Sequence, residues 1–287
     1  MGQQEQHSSQ QQHSSQQQHS SQQQRGVLYP KRLPEFHRYA PAAHLAHAVR
    51  WFWIPEWQLE AGERSVQQTL PFPACNLAIE ANGIAFVGPP TRRSERTLEG
   101  TGWCVGALLR PAAASVLAAG LGRKLDGLQD SALQFDAPPL LLEIVGAMTS
   151  ADLMPEARRE QAMVALGRWL SARVPQPETG SDAALANRLE EILADPTLIR
   201  ADQLAPLLHT SPRTLQRLAE RYFGLSLHSM IRRRRLQEGA ARLREQRGLS
   251  IAALANELGY ADHAHFTKDF KALLGVTPSA YRGSAAE

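Results

Sequence analysis

Arg213, Gln216 and Arg217 crowd into five residues, and these are side-chain types that read bases in a DNA major groove. Arginine donates a parallel pair of N–H bonds to guanine O6 and N7, and glutamine makes the equivalent pair with adenine. At about 100° per residue, Arg213, Arg217 and Glu220 share one helix face, flanked by Gln216 and Arg221. Leu215, Leu218, Ala219 and Tyr222 recur at i, i+3, i+4 and i+7 on the opposite side. A second group follows the same plan. His263, Ala264, His265 and Lys268 lie outside a stripe of Phe266, Phe270 and Leu273. His263 falls in the first helical turn, the part of a recognition helix that meets base edges. The methyl of Ala264 suits contact with a thymine methyl. Either group alone reads equally well as a solvated face, because charged outer faces are common. Two copies of the same arrangement in one chain favour the base-reading interpretation.

Each group needs a helix start, a preceding short helix and a turn. Ser211 before Pro212 supplies a start, with a hydroxyl to cap free N–H groups and a proline at the first helical position. A short helix around Asp202–Leu208 brings Leu204 and Leu208 to the core, with Pro206 as a local conflict, since proline removes one helical hydrogen bond. His209 stands where the turn requires positive φ, which histidine adopts more readily than most non-glycine residues. In the second unit Ser250 caps a helix carrying Ile251, Leu254, Ala255 and Leu258, Gly259 turns the chain, and Asp262 caps the next helix. Between the units, Ser226 to about Gln246 reads as one long helix with Met230, Leu236, Ala240 and Leu243 on its apolar side. This is the helix-turn-helix pattern, written twice.

Charge agrees with the pattern. Residues 200–250 contain eleven arginines against Asp202, Glu220, Glu238 and Glu245, a local excess of seven positive charges in a chain whose net charge is only +3. Basicity concentrated this way is the electrostatic footprint of a polyanion binder. Arg221, Arg232, Arg235 and Lys271 are expected on phosphates.

The stretches SPRTLQR (211–217), FGLS (223–226), Arg232 with Arg235-Leu236, ELGYAD (257–262), FTKDFK (266–271) and GVTPSAYR (275–282) together resemble the DNA-binding domain of AraC-type transcriptional regulators. The resemblance runs over about 85 residues with the spacing kept throughout. It implies two recognition helices entering adjacent major-groove segments on one face of the duplex. Carried over by position, Arg213, Gln216, Arg217, His263, Ala264, His265 and Lys268 face bases. The chain departs from the family pattern at His209 (usually Gly), at Pro206, and at Gly239, where a small helix former is usual. These departures bear on the rigidity of the first unit and leave every DNA-facing group in place.

Ahead of this region, residues 6–23 are three copies of QHSSQQ. With almost no apolar residues, residues 1–25 cannot offset the entropy of ordering and are expected to be a disordered tail. It lacks the apolar core of a signal peptide, and no later stretch is long and apolar enough to span a membrane. Residues 26–173 are expected to form a sensor or dimerisation domain. Short apolar runs at 76–80, 83–87 and 103–109, separated by turn signals, predict a small antiparallel sheet or barrel with helices. A short helix is expected over His44–Arg50. Residues 111–172 read as mostly helical. Residues 174–180, with two prolines and a glycine, are the expected linker, and 181–287 the DNA-binding domain, starting with a helix at Ala183–Leu193. The fold class expected is α+β, with an all-α double helix-turn-helix domain at the C-terminal end. The N-terminal part is similar to the sensor domains of AraC-type proteins, some cupin-like, and to a poorly characterised subgroup among them, which implies architecture without a ligand.

Other chemistries fit less well. Trp51, Trp53, Trp57, Trp103, Phe72 and Phe86 would suit an apolar effector pocket, but such residues more often form core. Arg110 is suited to an acidic ligand or, more simply, to an internal carboxylate. A zinc-held cysteine alkyl-transfer centre needs several thiolates, and the chain has only Cys75 and Cys104. A cupin-like metal enzyme needs clustered ligands. His44 and His47 share a helical spacing, but His37, His44 and His47 precede the predicted strands. An RNA module would expose stacking aromatics. The reading is therefore a non-enzymatic regulator of transcription without a cofactor, in a reduced cytoplasmic setting. Its expected partners are double-stranded DNA, a small-molecule effector, RNA polymerase and a second copy of itself.

Overall fold

Alternation of large apolar and small residues builds the N-terminal sheet of the computed structural model, which describes residues 35–69, 72–195, 198, 200–246 and 248–284. The QHSSQQ tail with its histidines, residues 26–34 and Arg247 lie outside the described residues. The strands are β1 (Glu35–Tyr39), β2 (Val49–Gln58), β3 (Arg64–Thr69), β4 (Asn76–Glu80), β5 (Gly83–Val87), β6 (Ser94–Glu99), β7 (Thr101–Trp103), β8 (Val105–Leu109) and β9 (Ala132–Gln134). They form an antiparallel sheet in the order β1-β2-β8-β4-β5-β9, with β7 also paired to β2, and a separate β3–β6 ribbon.

Phe52 and Ile54, Leu77 and Ile79, and Ile84 and Phe86 point to one face at period two and are buried. Helices α1 (Pro111–Gly120), α2 (Pro138–Thr149) and α3 (Pro155–Ser171) supply Leu117, Ile144, Leu166 and Leu170 to the same core. The runs at 76–80 and 83–87 are strands with the expected bounds, and 103–109 is divided at Cys104 between β7 and β8. The expected helix over His44–Arg50 is reduced to a 3₁₀ turn at Ala43–Leu45. Val49 already pairs with Leu109 in the sheet. Sheet pairing of a buried β-branched residue outweighs the local helical preference of the preceding alanines. The β2–β8 register shifts between Val49 and Trp51, a bulge at Arg50 of the kind that re-aims a side chain.

The six aromatics do not converge. Phe86 is fully buried and Trp103 packs on the same core. Trp53 covers Gly106, whose missing Cβ would sit 2.0 Å from the ring, and donates to Asn76 Oδ1 at 3.0 Å. Trp51 and Phe72 meet near Arg50, while Trp57 lies beneath Arg96. A surface pocket beside β5 and β9 is lined by Ile84, Gln134, Phe135 and Leu141, and by none of these six.

Cys75 and Cys104 are free thiols buried in this core. Burial pushes both thiols up, Cys104 to about 12. Because the thiolate is the reactive species, a maleimide is expected to label the native protein at pH 7.5 at least about 100-fold more slowly than the urea-unfolded chain. Equal rates, followed by mass spectrometry, would refute the buried assignment.

The C-terminal part is helical: α4 (Asp182–Ile192), α5 (Leu204–Leu207), α6 (Pro212–Phe223), α7 (Leu227–Glu245), α8 (Ile251–Glu257), α9 (His263–Leu274) and α10 (Pro278–Ser284). Two apolar clusters organise it. One joins α4, α5, α6 and the start of α7 around Leu189, Leu204, Leu215 and Leu218, and the other joins the rest of α7 to α8, α9 and α10 around Leu254, Phe266, Phe270 and Tyr281. Among the described residues, no helix is long and apolar enough to cross a membrane.

Candidate nucleic-acid interface

Both candidate reading helices begin at a side-chain cap. Ser211 Oγ accepts the Thr214 N–H at 3.1 Å, and Asp262 Oδ1 accepts the His265 N–H at 2.7 Å. Both end at a glycine with positive φ, Gly224 and Gly275, as αL termination requires. His209 has φ 48° in the first turn, and Gly259 φ 74° in the second. Pro206 sits in a four-residue helix preceded by a 3₁₀ turn at Ala201–Gln203, so the short helix of the first unit is broken into two pieces. Gly239 has a packing reason. It is buried in α7, and a Cβ there would meet Leu258 and Phe266 at 3.1 Å, so α8 and α9 approach α7 across it.

The inward stripes are buried: Leu215, Leu218, Ala219 and Tyr222 in α6, and Phe266, Phe270 and Leu273 in α9. Arg213, Gln216 and Arg217 on α6 are exposed, as are His263, Ala264, His265 and Lys268 on α9. Arg221 and Lys271 are exposed one turn further along each helix. Several of these groups already have partners. Gln216 Nε2 donates to Glu220 Oε1 at 2.6 Å. Arg217 grips Asp182, the first residue of α4, through Nη1–Oδ2 at 2.7 Å and Nη2–Oδ1 at 3.1 Å. Arg221 lies 3.6 Å from the same carboxylate. The Arg217 hydrogen bond holds the Asp182 carboxyl below its ordinary range. On α9, His263 Nε2 lies 3.3 Å from Thr267 Oγ1. Asp269 receives Arg232 Nε at 2.8 Å, with His265 Nε2 3.8 Å away.

The arginine run 232–235 is not one basic face. Arg232 projects and pairs with Asp269, and Arg235 lies along Gly259 O and the Tyr260 ring. Arg233 turns inward, 5% exposed, and donates to Pro90 O at 2.8 Å. Its burial lowers its proton affinity. Arg234 is held by Glu238 and Ala194 O. Two of the four therefore serve packing between parts of the chain.

Sequence reasoning missed the seat between the N-terminal part and the helical units. Glu190 of α4 is 4% exposed and takes Arg50 Nη1 at 2.8 Å and Arg110 Nη1 at 3.0 Å. The expected internal carboxylate for Arg110 is thus found on α4. Asn187 donates to His47 O and accepts the Ala112 N–H. His47 also lies 3.1 Å from Val174 O. At the other side Arg93 donates to Leu274 O, and Gln129 to Gly224 O.

A family model described as "Helix-turn-helix domain" matches residues 204–284, and one described as "Domain of unknown function (DUF6597)" matches 37–133. An uncharacterized HTH-type transcriptional regulator of Haemophilus influenzae is 38% identical over 85 residues, 30% of this chain and 28% of its own length. The probable transcription factor PqrA of Proteus vulgaris is 34% identical over 84 residues, 29% of this chain and 68% of its own. A crystal structure of a variant of apo ToxT from Vibrio cholerae aligns over 85% of this chain and 98% of its own, at 12% identity and a TM-score of 0.41. The chain thus spans less than a third of the length of the Haemophilus regulator.

Proposed function

We propose that this chain, which belongs to the AraC-type helix-turn-helix transcription regulators, regulates transcription by reading a bipartite duplex site with α6 and α9. One observation carries the reading: two capped helices, each with a buried apolar stripe and an exposed Arg/Gln or His/Lys face, are held by one shared helix, α7. Two such faces joined rigidly fit successive major-groove segments, about one helical turn (~34 Å) apart. In this reading Arg213, Gln216, Arg217, His263, Ala264, His265 and Lys268 face bases, and Arg221, Arg232, Arg235 and Lys271 contact phosphates. Residues 181–287 are the DNA-binding domain, 174–180 the linker, 26–173 the part that senses a small effector or dimerises, and 1–25 a tail. RNA polymerase is a further partner and the cytoplasm the site of action. Catalysis plays no part in this reading.

Selection from a random duplex library tests it. Two short enriched boxes about one turn apart are expected, whereas binding without enrichment and with steep salt dependence would reduce the helices to phosphate contacts. On the selected site, Arg217→Ala is expected to cost about 1–3 kcal/mol and to relax base choice at one position. Equal loss on selected and random duplex would make Arg217 a phosphate contact instead.

A further inference from the structure

Asp182 meets Arg217 end-on, each carboxylate oxygen taking one terminal guanidinium nitrogen. That fork is also the one a guanine edge takes through O6 and N7. Arg221 converges on the same carboxylate from the next turn of α6. Both guanidiniums are therefore drawn sideways toward the first residue of α4, with Arg217 54% and Asp182 32% exposed. Nothing in the apolar seam needs this pair, because Leu215 and Leu218 already fix α6 against α4.

We propose that Asp182 is a specificity-determining residue, an internal acceptor that occupies the reading fork of Arg217 until a guanine edge displaces it. The inference rests on the reading of α6 as a recognition helix. A backbone phosphate can also take both arms of a guanidinium, so the discrimination lies among bases. In the major groove only guanine offers two acceptors side by side, whereas adenine, cytosine and thymine do not. A guanine edge therefore opens the pair, and another base at that position leaves Arg217 on Asp182.

The test is a double-mutant cycle with the full chain and the selected duplex, read by fluorescence anisotropy. Asp182→Asn keeps shape and removes the charged acceptor. It is expected to tighten binding by about two- to fivefold, the range of an exposed ion pair. In the Arg217→Ala background the same change is expected to have at most half that effect on a logarithmic scale. Asp182→Ser, which keeps a first-turn residue suited to a helix start, should behave alike, and matched thermal unfolding of all variants guards against a folding artefact. Weaker binding by Asp182→Asn would make Asp182 a buttress that positions Arg217, and so overturn the proposal. An equal gain with and without Arg217 would also overturn it, leaving only removal of a negative charge near DNA. If Arg217→Ala leaves binding unchanged, the recognition-helix reading itself fails. If Arg217→Ala weakens binding while Asp182→Asn does not tighten it, only the present inference fails.

Discussion

Replacing Glu190 with alanine is expected to destabilise the protein by about 3–5 kcal/mol, the usual cost of removing one partner from a buried ion pair. Glu190 is 4% exposed, and its two oxygens each take a guanidinium nitrogen, from Arg50 at 2.8 Å and from Arg110 at 3.0 Å. These guanidiniums are themselves largely covered, with side-chain exposures of 21% and 17%. Arg50 lies over Trp51 and Phe72, and Arg38 covers Trp51 as well. Arg110 has a second, more exposed partner, with Glu191 Oε1 3.3 Å from its Nη2. Burial, followed by the charge of Arg50, brings Arg38 down to about 10. Without the carboxylate, Arg50 and Arg110 face each other with much of their hydration lost, and Coulomb repulsion at low effective dielectric is added to desolvation. Glu190→Gln keeps the shape and two polar atoms and should lose less. Urea unfolding monitored by tryptophan fluorescence measures both. The alanine variant is also expected to show two transitions, because its sheet and helical parts lose their main polar tie. A midpoint shift worth under about 1 kcal/mol, the scale of a surface pair, would show that solvent already screens this seat.

The difference between Glu190 and Glu191 illustrates where sequence reading ends. The two are adjacent acids on one helix. Helical spacing puts Glu190 in the inward stripe of Ala186, Leu189 and Leu193 and Glu191 outside it, but says nothing of what meets a carboxylate there. Only the approach of β2 and α1 brings the two arginines to Glu190, while Glu191 keeps 48% side-chain exposure. The same limit applies to Arg233, which looks like its three neighbours until Pro90 arrives from the other part of the chain. By contrast the starts and inward stripes of α6 and α9 were legible, because their signals are local: a capping hydroxyl or carboxylate and a stripe at helical spacing. β4 and β5 were legible for the same reason, as apolar runs around Asn82-Gly83. β3 and β6 were not, since RSVQQT and SERTLE pair only with each other and carry little apolar pattern. The candidate reading faces were legible as chemistry, but the Asp182 and Asp269 partners were not. Asp182 reads locally as a first-turn acid that suits the helix dipole, and its grip on Arg217 depends on how α4 lies beside α6.

Gly224→Ala is the second large effect expected, at about 2–5 kcal/mol. Gly224 ends α6 with φ 65°, where its N–H returns to Glu220 O. An L-residue in that conformation costs about 1–2 kcal/mol. The contact adds to this. A Cβ on Gly224 would lie 2.4 Å from Leu125 O and 2.6 Å from Leu125 C, backbone atoms of the 3₁₀ turn at Leu125–Gly127. Backbone cannot swing aside as a side chain can, so α6 must back away from the N-terminal part, and overpacking of this kind costs about 1–3 kcal/mol. The retreat also pulls Gly224 O from Gln129 Nε2. Gly180 provides the control. Its φ is 80°, and an added Cβ there would meet nothing within 4 Å, so Gly180→Ala carries the backbone cost alone. Thermal unfolding of the two variants separates the contributions. A larger loss for Gly224→Ala, with weaker binding to the selected duplex, would identify the Leu125 turn as the stop that sets where the first reading helix sits. Equal losses would mean that α6 shifts freely against that turn, and its position would then have to be fixed by α4 and α7.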